Sequence, residues 1–130
     1  ARELAGVADS VARRVRHAGF VDDEALNALY NQAACLVYPS TYEGFGIPVV
    51  EAMRAGCPVV SVACKAVMEV GRDALTIAEE LDPRALADAI LKTVSADRSL
   101  LIERGLSVAR DYSWEKTHAQ TLAVYRSLAG

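Results

Sequence analysis

The chain has 130 residues, 52% of them apolar, enough for one small domain with a buried core and not for two. Fourteen basic residues against seventeen acidic give a formal net charge of -3, and neither sign gathers into a run, which argues against nucleic acid or an anionic membrane as a partner. The three cysteines, Cys35, Cys57 and Cys64, lack C-x-x-C spacing, and His17 and His118 stand apart from them, so no metal site can be drawn.

From Glu3 to Arg14, the residues Leu4, Val7, Ala8, Val11 and Ala12 recur at helical spacing. Val15 to Val21 reads as a short strand ending near Gly19, and Asp22 as the cap of a second helix with Leu26, Leu29, Tyr30 and Ala33 as its inner stripe. Cys35-Leu36-Val37-Tyr38 is an unbroken apolar run stopped by Pro39, the composition of a strand covered on both faces. The Gly-rich segment Thr41 to Ile47 leads into a helix with Pro48 in its first turn, Gly56 past its end and Pro58 beyond. Val59 to Val62 is the next buried strand, Ala63 to Arg72 a loop with one helical turn at Val67 to Val70, and Ala74 to Ala78 a short last strand. Asp82-Pro83 opens a helix striped by Leu86, Ala87, Ile90, Leu91 and Val94. Two further helices, Arg98 to Arg110 and Ser113 to Leu128, follow, the second with Trp114, His118, Leu122 and Tyr125 on one face.

Strands of this composition alternating with helices predict an α/β fold, a Rossmann-like parallel sheet with helices on both faces. Such sheets bind ligands at the carboxyl ends of their strands, here the loop after Tyr38. Each cysteine lies in or beside an apolar run and reads as a small buried hydrophobe kept reduced in the cytosol. No apolar run approaches the ~18 residues that span a bilayer, and the N-terminus lacks the order of a signal peptide, so a soluble, cytoplasmic protein is expected. The first residue is alanine rather than methionine, which suggests a piece of a longer protein.

The loop Pro39-Ser40-Thr41-Tyr42-Glu43-Gly44-Phe45-Gly46-Ile47-Pro48 must turn sharply from strand to helix, with Gly44 and Gly46 free to take positive φ. A helix start offers unpaired N–H groups and the positive end of the dipole to a phosphate or sugar oxygen, here from Gly46, Ile47, Val49 and Val50. Glu43 before the helix and Glu51 in its first turn can each bind a vicinal diol, as of a ribose or hexose. Taken singly, Glu51 could answer to the helix dipole alone and Gly-Phe-Gly be a tight turn. Two carboxylates could also suggest a glycoside hydrolase, but these share one helix entry instead of flanking one bond.

Together, Pro39-Ser40, Glu43-Gly44-Phe45-Gly46-Ile47-Pro48, Glu51-Ala52-Met53, Gly56 and Pro58-Val59-Val60 resemble the retaining glycosyltransferases of the GT-B group, family 4, also called glycosyl transferases group 1. Gly19-Phe20-Val21, Leu26, Tyr30, Glu69-Val70, Asp73-Ala74 and Tyr112-Ser113-Trp114 fit the same pattern, so the resemblance covers almost the whole chain. It implies the C-terminal, nucleotide-sugar-binding half of a GT-B fold over residues 1–130, incomplete at its N-terminus and without the acceptor domain. Glu43 would be the catalytic residue, against the donor sugar near the reacting carbon, with no nucleophilic role implied. Ser40, with Pro39, would set the loop. Gly44, Phe45, Gly46, Ile47, Pro48 and Val49 would line the sugar and phosphate, and Glu51 would hold the ribose. No cofactor or metal is implied; a GDP- or UDP-linked sugar would be the substrate. The setting would be polysaccharide biosynthesis, as by a mannosyltransferase, in the cytoplasm and, through the absent domain, at the inner membrane face.

Lys65-Ala66-Val67-Met68 replace the family's Ser/Thr and Leu-Pro before Glu69, and Lys65 reads as a solvated loop lysine. The family's Arg/Lys pair for the diphosphate has no counterpart, since Arg13, Arg14 and Arg16 lie elsewhere in the pattern, so weak or absent turnover is expected of this chain alone. The missing first strands would leave a trough between the strands at Val15 and Leu36. Direct pairing of those strands, another chain across the sheet edge or a larger assembly would close it. A nucleotide-sugar-binding or assembly module without chemistry is the alternative, favoured less by the intact Glu43 and Glu51. A sugar-nucleotide epimerase would need a carboxylate and histidine set that is not found.

Overall fold

A computed structural model of the chain describes residues 8–129. Helix α1 (Asp9–Ala12) is the described part of the first expected helix, whose Leu4 and Val7 lie outside the described residues. Helix α2 (Asp23–Gln32) starts where Asp22 Oδ1 accepts the Ala25 N–H at 2.8 Å, the expected cap. Strand β1 (Leu36–Tyr38), helix α3 (Ile47–Arg54) and strand β2 (Val59–Val62) follow. Helix α4 (Lys65–Gly71), a single 3₁₀ turn at Arg72–Ala74, strand β3 (Leu75–Ala78) and helices α5 (Pro83–Ser95), α6 (Ser99–Ala109) and α7 (Trp114–Ala129) complete the order.

The sheet is parallel, in the order β1-β2-β3, with Leu36 opposite Val59 and Val59 opposite Leu75. Helix α3 crosses from β1 to β2, and α4 from β2 to β3. Every residue of β2 is buried, because helices cover both faces of the sheet. On one face Val59 packs with Val49, Ala52 and Met53 of α3, Val67 of α4 and Val108 of α6. On the other, Val60, Val62 and Ala78 meet Ala89, Leu86 and Ile90 of α5. Burial of each of the larger side chains, Val49, Met53 and Val67, contributes about 1.5–3 kcal/mol. The polar exceptions are paired: Ser61 Oγ donates to Tyr38 O at 2.8 Å, and Thr93 Oγ1 to Ala89 O at 2.9 Å. This is the expected α/β architecture.

The end of α3 fixes the angle at which the chain enters β2. Gly56 takes φ 72°, the Cys57 N–H reaches Ala52 O at 2.8 Å and the Gly56 N–H reaches Met53 O at 3.1 Å, a Schellman closure. Helix α6 crosses α3 at Gly105, where an added Cβ would stand 3.3 Å from Met53 Cγ.

Three expectations are corrected. Residues Val15 to Val21 form no strand: they lie along the surface, with Val15 48% and Phe20 98% exposed, and among the described residues the sheet holds only β1, β2 and β3, so no strand lies beside them to form a ladder. Strand β1 is therefore a sheet edge among the described residues, and neither the trough nor direct pairing across it occurs. The expected loop at Ala63 to Arg72 holds a two-turn helix, α4, since Val67, Val70 and Gly71 dock on the core. The period is too short to stand out in the sequence. The predicted stripe of α7 is not buried: Trp114 is 76% and Tyr125 68% exposed, and only Leu122 is half-buried.

Cys57 and Cys64 are buried and Cys35 half-buried, all three as free thiols. Burial pushes the Cys35 and Cys57 thiols up, away from the reactive thiolate. Among the described residues, no helix is long and apolar enough to cross a membrane.

Candidate functional site

Residues 39–46 carry the chain from the carboxyl end of β1 to the start of α3, the end of the sheet at which parallel α/β folds take ligands. Ser40 Oγ donates to Tyr42 O at 3.2 Å, closing the first half of the loop on itself. Gly46 is the buried N-cap of α3, at φ 97° and ψ 50°, a conformation glycine takes without steric conflict. A Cβ there would also stand 3.4 Å from Val67 Cγ2. Gly44 does not use its freedom to take a positive φ; a Cβ on it would meet nothing within 4 Å, so it leaves an open approach to the backbone.

Of the expected N–H donors, that of Val49 is spent inside the turn on Gly46 O at 3.0 Å, and its side chain is fully buried. Among the described residues, the N–H groups of Gly44, Phe45, Gly46 and Ile47 donate to no protein acceptor. They form a short run of uncommitted donors at a helix start, suited to an anion or an electron-rich oxygen. Phe45 and Ile47 are both part-exposed beside them, and Pro48 is half-buried in the first turn.

The two glutamates are each held by a tyrosine. Tyr38, the last residue of β1, donates its hydroxyl to Glu43 Oε1 at 2.6 Å. That bond holds the half-buried Glu43 carboxyl below its ordinary value, and it pushes the Tyr38 phenol up to about 12. Tyr30 of α2 donates to Glu51 Oε2 at 3.3 Å, and burial, then the Glu51 charge, raises its phenol to about 12. Glu51 lies in the second turn of α3 and not the first as expected, so the dipole, which fades beyond the first turn, does not account for it.

A depression of about 200 Å³ opens between α2 and α3, lined by Asp23, Leu26, Asn27, Tyr30, Glu51 and Arg54. That is smaller than the 300 Å³ or so at which drug-sized pockets begin, so the depression alone would enclose only part of a larger ligand. Sequence reasoning did not place Tyr38, Tyr30, Asp23, Asn27 or Arg54 at the site. The available signal was a phenol ending an otherwise apolar strand directly before the Gly-rich loop. Lys65 is exposed at the start of α4. Among the described residues, no three His, Cys, Asp or Glu side chains gather as a metal would require.

The family described as glycosyl transferases group 1 matches the chain over residues 1–96. The chain belongs to the group 1 glycosyltransferases. It is 41% identical over 116 residues to the O-antigen chain mannosyltransferase B of Escherichia coli, covering 88% of this chain and 30% of that protein. It is 34% identical over 125 residues to the phosphatidyl-myo-inositol mannosyltransferase of Propionibacterium freudenreichii, covering 92% and 32%. A D-inositol 3-phosphate glycosyltransferase of Nocardioides is 38% identical over 116 residues, covering 86% and 25%. The chain thus spans about a third or less of the length of these relatives.

Proposed function

We propose that the chain is the donor-binding part of a retaining glycosyltransferase that moves a hexosyl unit from a nucleotide diphosphate sugar to an acceptor. The observation that carries this reading is the pair of tyrosine-held glutamates, Tyr38–Glu43 and Tyr30–Glu51, set on either side of the uncommitted N–H groups of residues 44–47. Glu51 and the depression beside it take the ribose and base, the start of α3 takes the diphosphate, and Glu43 takes the hexose. Two of the relatives above are named mannosyltransferases, which favours a mannosyl donor.

As the bond from the anomeric carbon to the diphosphate oxygen breaks, positive charge grows on the sugar ring and negative charge on the leaving oxygen. Glu43, kept ionised by Tyr38, faces the first, and the N–H groups at the start of α3 face the second. The acceptor oxygen bonds to the same face of the carbon, and its proton passes to the departing diphosphate. Glu43 acts here as a fixed charge and forms no bond to the sugar. The acceptor site, and further contacts to the diphosphate, belong to parts of the protein beyond this domain or to a partner chain.

A GDP-mannose analogue with a photoreactive base tests the reading. Label is expected on α2 and on the α3 residues that line the depression, Glu51 and Arg54, with competition by unmodified GDP-mannose. Label that spreads over the surface, or that GDP-mannose does not compete, contradicts it.

A further inference from the structure

The glycine-flanked loop is held by a side chain from the other end of the sequence. Tyr112, in the link between α6 and α7, meets the Phe45 ring edge-on, with centroids 5.4 Å apart and planes at 81°. Its own place is fixed on several sides. The Arg72 guanidinium carbon lies 5.9 Å from its ring centroid, its hydroxyl donates to Val70 O at 3.3 Å, and its carbonyl accepts from Arg54 Nη2. Arg72 is pinned in turn by Asp111 at 2.6 Å, and Arg54 donates also to Ala109 O at 3.2 Å. Tyr112 is therefore tied to the last turn of α3 and to the end of α4, with one ring edge left against Phe45.

Phe45 stands between Gly44 and Gly46, which bring no side chains of their own to hold the loop. Glycines also lose the most backbone freedom on becoming ordered, so this segment needs an anchor from outside itself. Among the described residues, Tyr112 is the one ring in contact with Phe45. The N–H groups of residues 44–47 bind a ligand tightly only if they are already in place when it arrives.

We propose that Tyr112 is a positioning residue for the cradle: through Phe45 it fixes the backbone of residues 44–47, and Arg72 and Asp111 serve to fix Tyr112. Its consequence for donor binding rests on the function proposed above, whereas its effect on the loop does not. The test is NMR relaxation on the chain, with Tyr112→Ala, Tyr112→Phe and Phe45→Ala beside the wild type. Backbone order parameters of residues 44–47 are expected near the rigid value of about 0.85 in the wild type and Tyr112→Phe, falling below about 0.6 in Tyr112→Ala and Phe45→Ala. Helix α5 should stay rigid in all four. Titration with GDP-mannose should be about fivefold weaker for Tyr112→Ala and unchanged for Tyr112→Phe, a loss in keeping with one aromatic edge contact. Residues 44–47 as ordered in a folded Tyr112→Ala protein as in the wild type would overturn the proposal. Should Tyr112→Ala not fold, the same result in Phe45→Ala, whose ring is 41% exposed, would overturn it equally. A wild type with an ordered loop and no affinity for GDP-mannose would count against the donor reading alone.

Discussion

The Tyr38 hydroxyl and Glu43 Oε1 lie 2.6 Å apart, which makes the last residue of β1 the support of the carboxylate five residues later. The bond favours the ionised carboxylate, so Glu43 titrates below its ordinary value of 4.5. A depressed carboxylate contributes stability that is present above the unfolded value and is lost as pH falls through the folded one. Tyr38→Phe is expected to move the Glu43 carboxyl back up toward 4.5 and to leave the other carboxylates unmoved. Carboxyl-detected NMR titration of both proteins checks this, and superimposable Glu43 curves would contradict it.

At the alkaline end the sign reverses. Tyr38, through its bond to Glu43, and Tyr30, chiefly through burial, ionise at about 12 and not 10.0. The stability they contribute is whole below pH 10 and decays as pH rises toward 12. Phenolate absorbance should show a late phase that disappears in the Tyr30→Phe/Tyr38→Phe double variant. One titration at 10.0 carrying all the absorbance would refute the assignment.

The two glycines of the loop should behave differently. Gly46→Ala places a side chain at φ 97° and 3.4 Å from Val67 Cγ2, and is expected to destabilise the fold by about 1–3 kcal/mol. Gly44→Ala meets open space and should fall within about 0.5 kcal/mol of wild type. Urea unfolding of the two variants measures both. Equal losses would mean that the left-handed turn at Gly46 is not what starts α3.

Where apolar runs met turn residues, the fold was legible in the sequence. Cys35 to Tyr38 before Pro39 and Val59 to Val62 after Pro58 marked β1 and β2 with the α3 crossover between them, and Asp82-Pro83 marked the start of α5. Val15 to Val21, broken by Arg16, His17 and Gly19, lies outside the sheet among the described residues, and no local pattern says whether a strand will lie beside it. Of α4 only one turn, Val67 to Val70, was legible, because its buried face is a single repeat long. The Gly-rich loop announced a site, yet Tyr38 and Tyr30 read as strand and stripe residues. Their hydroxyls acquire meaning only when folding brings them to Glu43 and Glu51. Phe45 and Tyr112, far apart in the chain, could be joined only in three dimensions.

Arg72 takes φ 50° and ψ -128°, held there by Asp111 and Tyr112. Its ion pair is half exposed and stabilises little, whereas φ 50° with ψ -128° lies outside the left-handed helical well, in a region nearly confined to glycine that costs an L-residue on the order of 1–3 kcal/mol. Arg72→Gly should therefore unfold at or above the wild-type midpoint, and Arg72→Ala, which loses the same pair but keeps the strained backbone, should be less stable than Arg72→Gly by on the order of 1–3 kcal/mol. Thermal unfolding of the two variants decides, and identical midpoints would contradict the strained conformation.

The central claim is that Glu51, steadied by Tyr30, reads the ribose of a nucleotide sugar in the depression between α2 and α3. Calorimetric titration of the wild type and Glu51→Ala with GDP-mannose and UDP-glucose tests it most directly. The account predicts that one of the two ligands binds the wild type and that Glu51→Ala binds it at least about tenfold more weakly, the scale of a lost charge-assisted hydrogen bond. Equal affinity of the two proteins for that ligand would contradict it.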